Sequence, residues 1–319
     1  MLLHLDTDFA GDTDDACALA MVLGCPDTEL VGITTTADPE GLRAGSLAHF
    51  LRLAGRADIP VAAGAAVSLT TGRTMGGLPD HERYWREPVA PQPSPPGSAL
   101  DLLARSIELN ATVVAIGPYT NLALLEQTRP GSLDQVPMVV MGGWVRPPDE
   151  GLPHWGPEAD WNVQCDTGAA LVVAHLDRLT MVPLHATFGA HLRARDLPRL
   201  AASGPMGELL AHQARAYGED NEMDELARAH TALPDDLLNF HHDPVACAVA
   251  LGWSGAVIEE VRIEPVFRGE VLQFQAVCAG PTRLVVAVDG NAFTGTWLSA
   301  VAMTDLEVGH NAALLQDPW

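Results

Sequence analysis

Near the start of the chain the sequence runs Leu2-Leu3-His4-Leu5-Asp6-Thr7-Asp8-Phe9-Ala10-Gly11-Asp12-Thr13-Asp14-Asp15-Ala16-Cys17-Ala18-Leu19-Ala20. An apolar run, an acidic turn and an Ala/Leu-rich stretch follow one another directly, which is the order strand, turn, helix. In open α/β sheets ligands gather beyond the C-terminal ends of strands, so this turn falls where such folds build sites. Asp6, Asp8, Asp12, Asp14 and Asp15 crowd together and repel one another unless water solvates them or a hard cation takes several oxygens at once. Carboxylates at a helix start also meet unpaired N–H groups. A solvated acidic cap is the plainer alternative. An EF-hand loop is not, because no acidic ladder ends in a Glu twelve positions on.

Working outward, further apolar runs read as buried strands: Leu30–Thr34, Thr112–Ile116, Val136–Met141 and Arg178–Pro183. They are rich in Val, Ile and Leu and barely alternate, as in a parallel sheet covered on both faces. Helix-length stretches lie between them, at Asp15–Leu23, Gly41–Leu53, Ser98–Leu109, Gly168–Leu176 and Pro205–Ala216. In the third, Leu100, Leu103 and Ile107 share one face, Ser98 is placed to cap and Asp101 faces the helix N-terminus. The alternation predicts a three-layer α/β sandwich with a mostly parallel central sheet, in one domain over residues 1–319. Three long segments read as loops over a site: Thr70–Gly97, Arg146–Trp161 and Glu219–Phe240, the last partly helical. From Val257 on, further strand-like runs either extend the sheet or form a small antiparallel addition.

The charge narrows the partners. Asp and Glu outnumber Lys and Arg by 41 to 18, a formal net charge of −23 that repels nucleic-acid phosphates and anionic lipid headgroups. Five scattered cysteines, Cys17, Cys25, Cys165, Cys247 and Cys278, form no CxxC pair and read as buried free thiols in a reducing compartment. No signal peptide or membrane-length apolar run is visible. The expectation is a cytoplasmic protein with a small-molecule partner and neither nucleic acid nor membrane.

Beyond the acidic turn, the sequence resembles the inosine–uridine-preferring nucleoside hydrolase family. Asp6, Asp8, Gly11, Asp14 and Asp15 resemble the longer form of its opening DxDxGxDD motif. Gly32-Ile33-Thr34-Thr35-Thr36-Ala37-Asp38 resembles its second strand, and Pro60-Val61-Ala62-Ala63-Gly64-Ala65 its PVxxGA. Ile116-Gly117-Pro118-Tyr119-Thr120-Asn121-Leu122-Ala123 is similar to IGPLTNLA, Met141-Gly142-Gly143 to MGG, Asp160-Trp161-Asn162 with Asp166 to EFN…D, and His242-Asp243-Pro244 to HDP. The likeness keeps the family's order over most of the chain and fades in the C-terminal stretch.

The resemblance implies a nucleoside hydrolase-like fold and hydrolysis of a ribonucleoside or related riboside, in a homo-oligomer, dimer or tetramer. It implies Ca2+ held by Asp8, Asp15, the backbone carbonyl of Thr120 and Asp243, with Asp8 as general base. Asp14, Asp38 and Asn162 would bind ribose hydroxyls, Asp160 the 5′ side, and Met141 would line the sugar pocket. His242, beside Asp243, is the expected proton donor to the leaving group. His81 and Trp85 are candidates to close over the base, as are His154 and Trp155. The chemistry is coherent in itself: cleavage of an N-glycosidic bond builds positive charge on the sugar, which preorganised carboxylates stabilise.

Several departures from the family pattern bear on the substrate. Asp8 and Asp14 stand six positions apart, two more than in the short motif, so the turn must bulge, and Gly11 is the expected hinge. Asp12 is then placed to reach metal or ribose. Asp38 replaces a common Asn, and Asp160 is one methylene shorter than Glu. Three alternatives stay open: an N-ribohydrolase for a non-standard ribosyl compound, a riboside-binding protein without turnover, and a phosphatase of the haloacid dehalogenase type. The last opens with DxDx[TV], where Ala10 is a mismatch.

Overall fold

The computed structural model describes residues 1–78 and 81–314, with backbone alone for His81 and for 305–314. The strands are β1 (Leu2–Thr7), β2 (Glu29–Thr35), β3 (Val61–Ala63), β4 (Thr112–Ala115), β5 (Met138–Met141), β6 (Leu179–Val182), β7 (His191–Arg193), β8 (Leu237–Phe240), β9 (Ala256–Arg268) and β10 (Val271–Val288). Eight of them form one sheet in the order β3-β2-β1-β4-β5-β6-β10-β9. Every pairing from β3 to β10 is parallel, and only β9 runs antiparallel, at the edge. The C-terminal stretch therefore does both things left open by its sequence: β10 extends the parallel sheet against β6, and β9 folds back on it as a hairpin.

The strands barely alternate because both faces are covered. Val114, Val139 and Val182 enter one buried cluster, while Val113, Ala115, Met138, Val140, Leu179 and Met181 enter another on the opposite face. Successive side chains of a strand point to opposite faces, so each face must be apolar when helices pack on both. The first cluster includes helix Asp14–Leu23 and the C-terminal helix Gly290–Leu314, where the Trp297 Nε1–H donates to the Cys17 carbonyl at 2.9 Å.

Winding reverses at β1. The chain goes outward through β2 and β3, then returns to add β4 on the other side. Such a switch point leaves a crevice at the C-terminal ends of the two central strands, and Asp8 and Ile116 follow β1 and β4 there.

Local expectations fail in instructive places. Ser98 does not cap its helix. Gly97, with φ +86°, holds the cap position, and Asp101 pairs instead with Arg129. Gly11 is not the hinge of the lengthened turn either; the left-handed residue is Ala10, φ +71°. Glu219–Phe240 is mostly regular, with helix Met223–Ala229 and strand β8. Cys17 and Cys247 are buried, but Cys278 is exposed on the hairpin.

Candidate active site

A cavity of about 590 Å³ opens at the switch point. Asp8, Asp12, Asp14 and Asp15 reach it from the turn and the first helix, Met141 from the end of β5, and His242 and Asp243 from the start of helix His242–Ala250. Asp160, Trp161 and Asn162 enter from the short helix Trp161–Cys165 and the residue before it. Side chains far apart in sequence thus share one space.

The acidic side is tightly wired. The Trp161 Nε1–H donates to Asp8 Oδ2 at 3.0 Å, and the Asp243 backbone N–H donates to Asp14 Oδ2 at 2.8 Å. Thr7 donates its hydroxyl hydrogen to Asp15, and the Asp14 N–H donates to Asp12. Asp14 Oδ1 is buried with no hydrogen-bond partner among the described residues. Burial pushes all these carboxyls upward. Asp12 rises to about 6; Asp14, Asp15 and Asp243 go well above their ordinary value, and neighbouring carboxylates add to the effect. For Asp8 the push from burial is opposed by the Arg43 guanidinium and the Trp161 N–H.

A hard cation would relieve this crowding. The donors are all oxygen, as calcium prefers, and one buried carboxylate oxygen is unclaimed. Among the described residues, however, no three His, Cys, Asp or Glu side chains stand as a ready-made metal cage. The fit therefore rests on the chemistry of the donors rather than on a closed shell.

The opposite side is aromatic. Trp155 packs edge-on against Phe188 and Phe240, with centroids 5.3 and 5.6 Å away, and His242 stacks on Phe240 at 5.3 Å. The Thr187 hydroxyl spends its hydrogen on the Leu184 carbonyl at 2.8 Å. It can then only accept from His242 Nδ1, 2.6 Å away, so Nδ1 carries the proton and Nε2 is the nitrogen left for a ligand. Burial drives the His242 pKa down to about 3, and His191 adds to the shift. That shift and the Thr187 contact favour the neutral ring with Nε2 as acceptor over the proton donor expected from its position beside Asp243.

Other expected residues stand elsewhere. Asp38 is buried outside the cavity lining and accepts from Thr35 Oγ1 at 2.6 Å, Arg43 N at 2.8 Å and Ala44 N at 3.0 Å. Its oxygens fasten the start of helix Leu42–Leu53 and are not turned to a sugar. Trp85 is core rather than lid, packed against Phe9 and His49 at 6.3 and 5.7 Å. His81 starts the short helix His81–Tyr84, and its side chain lies outside the described residues. Thr120 is fully buried behind the wall, its hydroxyl on Asp166 at 2.8 Å, while Ile116 of the same segment lines the cavity. His154 is exposed, whereas Trp155 lines the cavity. Asp160 lines it too, but its oxygens accept from Gly143 N at 2.6 Å and Val163 N at 3.4 Å.

Sequence reasoning missed Arg43, whose buried guanidinium lines the cavity. It also missed the far wall, where Met223 and Leu226 come from a segment read largely as loop and Tyr217 from the extended end of helix Pro205–Asp220. An apolar period in Glu219–Phe240 was the available signal for the wall; Arg43 had none, since nothing acidic is spaced to pair with it on its helix.

The comparisons agree with this geometry. The family model described as inosine-uridine preferring nucleoside hydrolase matches residues 3–305. The chain is 32% identical over 223 residues to the pyrimidine-specific ribonucleoside hydrolase RihA of Salmonella paratyphi A (strain ATCC 9150 / SARB42), covering 66% of this chain and 70% of that one. Its fold is similar to that of a purine-preferring ribonucleoside hydrolase from Gardnerella vaginalis, with TM-score 0.79, 20% identity and coverage of 96% of this chain and 100% of that one. A plant nucleoside hydrolase, the PpNRh1 enzyme, gives TM-score 0.75, 22% identity and coverage of 94% and 98%.

Proposed function

The chain belongs to the inosine-uridine preferring nucleoside hydrolase family and is an N-glycosidic bond hydrolase; on that premise we propose that its substrate is a ribonucleoside, released as free base and ribose, with Asp8 as general base. The observation that carries this reading is the two-sided cavity, with carboxylates on one wall and Trp155, Phe240 and the neutral His242 on the other. A nucleoside matches it: an uncharged diol-bearing sugar at the acidic side and a flat aromatic base at the apolar side. A phosphate ester fits poorly, since the carboxylates repel it.

The water oxygen bonds to C1′ as the C1′–N bond breaks, the bonding pair leaves with the base, and the departing base takes a proton from solvent to become the free base. Asp8 takes the water's proton. Burial raises its pKa, Arg43 and the Trp161 N–H offset part of that rise, and a bound cation would favour the charged form further. Asp14 and Asn162 hold the sugar, and the remaining carboxylates stabilise the charge that grows on its ring. Met141 packs against the sugar. The Asn162 Nδ2–H donates to the carbonyls of Ile116 and Met141 at 3.0 and 3.1 Å, which orients its amide oxygen. His242 Nε2 accepts from an N–H of the base, held in that tautomer by Thr187. Asp8, Asp15 and Asp243 would hold a calcium ion, which would supply a lowered pKa and a fixed orientation to the water and a grip on the sugar diol; the Thr120 carbonyl expected to join them lies in a fully buried residue outside the cavity lining.

One observation favours a variant of this reading. Both Asp160 oxygens are engaged by backbone N–H groups, so the 5′ side is freer to admit a substituent than a site with a longer, uncommitted Glu.

The test is release of reducing sugar from purine, pyrimidine, nicotinamide and 5′-substituted ribosides. Turnover of a plain ribonucleoside is the expected result. Phosphate release from ribose phosphates, or riboside binding without turnover, would overturn it.

A further inference from the structure

Arg43 is the second residue of its helix, with only 1% of its surface exposed, and among the described residues no carboxylate shares a hydrogen bond with its guanidinium. Its donors go to backbone carbonyls. Nε reaches Ala37 O at 2.8 Å, Nη1 bonds Asp8 O and also Phe9 O at 3.0 Å, and Nη2 points to Gly77 O at 3.4 Å. One planar cation therefore ties together the turn after β1, the segment after β2 and the long loop beyond β3. Buried charge is costly without compensation, and here the compensation is four carbonyl dipoles and the carboxylates across the cavity.

Two further details show that the chain is built around this contact. Asp38 accepts the backbone N–H groups of Arg43 and Ala44, which fixes where the arginine leaves its helix. A Cβ on Gly11 would lie 3.3 Å from Arg43 Nη1 and 3.5 Å from the Asp8 carbonyl oxygen, so the absence of a side chain lets the guanidinium lie close against the turn. The clamped residues are those of the lengthened motif, where Ala10 adopts its left-handed conformation.

We propose that Arg43 is a positioning residue for the hydrolysis: its guanidinium clamps the Asp8–Phe9 carbonyls and so sets the Asp8 carboxylate in the cavity, while supplying the site's own fixed positive charge. The fork matters as well as the charge. An ammonium is a point donor and cannot span carbonyls from three segments. The inference rests on the reading of Asp8 as general base, and its test separates the two.

The first readout needs neither substrate nor metal. The Trp161 Nε1–H donates to Asp8 Oδ2, so its indole 1H–15N resonance, assigned with Trp161→Phe, reports where Asp8 stands. Arg43→Lys and Arg43→Met should both shift that resonance. The second readout is kinetic: kcat should fall about 100-fold in Arg43→Met and about 10-fold in Arg43→Lys, the scale of a misplaced catalytic group, with KM changed less than about threefold. Circular dichroism and melting identify a variant that has simply unfolded, and Arg43→Lys is the milder change. An unmoved Trp161 resonance and normal kcat in folded Arg43→Lys would overturn the proposal. A shifted resonance with a wild-type enzyme inert toward every riboside would leave the clamp standing and remove the function assigned to Asp8.

Discussion

The two walls of the cavity solve opposite problems with the same burial. On the acidic wall, burial raises every carboxyl and the chain answers with N–H donors, a clamped arginine and, in our reading, a cation. On the aromatic wall, burial lowers His242 to about 3, and the chain answers with rings and the Thr187 hydroxyl; burial lowers the adjacent His241, outside the cavity lining, likewise. Among the described residues His241 has no hydrogen-bond partner on either nitrogen, and its ring lies 4.5 Å from that of Trp297. One wall stores charge; the other removes it. A substrate that turns cationic at the sugar while its base departs needs this asymmetry, because a low-dielectric, preorganised site stabilises the developing charge at one end only.

Several experiments break or sharpen the contrast. The largest effect belongs to Asp8→Asn, which keeps the shape and removes the base; turnover should drop about a thousandfold or more with the fold retained. Near-normal kcat would end the assignment. Chelation should abolish most activity and calcium restore it, with zinc and other softer ions less effective. Activity indifferent to EDTA and to added calcium would show the acidic wall working without a metal.

Across the cavity, His242→Ala should slow turnover about 100-fold by losing the contact that orients the base. Thr187→Val should cost about tenfold in kcat, by freeing the ring to adopt the wrong tautomer, and Thr187→Ser should recover it. If Val and Ser behave alike, the hydroxyl does not hold the tautomer.

The smallest effect concerns stability. Burial raises the Asp160 pKa to about 7. A carboxyl raised in the folded state favours folding at acid pH, and that contribution is lost as pH climbs from about 4 through about 7. Asp160→Asn should therefore melt close to wild type at pH 5 and gain on it by pH 8, by up to a few kcal/mol. Parallel melting curves across that range would show that Asp160 stays ionised.

Much of this protein is legible along the chain. The apolar runs and their poor alternation determine a covered parallel sheet, because burial on both faces leaves no polar face to alternate. The acidic turn after β1, with Asn162, His242 and Asp243 in their motifs, determines the chemistry on offer, because residue types and local spacing fix which donors sit at strand ends. What the sequence could not decide is the direction of each side chain. Asp38 reads as a sugar ligand by position and is a helix fastener, because its oxygens are claimed by N–H groups of the next helix. Trp85 lies in a loop by sequence and in the core by packing. Arg43 looks like a surface helix residue and becomes the counter-charge of the site, since only tertiary packing brings its guanidinium against carbonyls more than thirty residues away. Hydrogen bonds between distant segments leave no periodic trace, so they are settled only when the chain closes on itself.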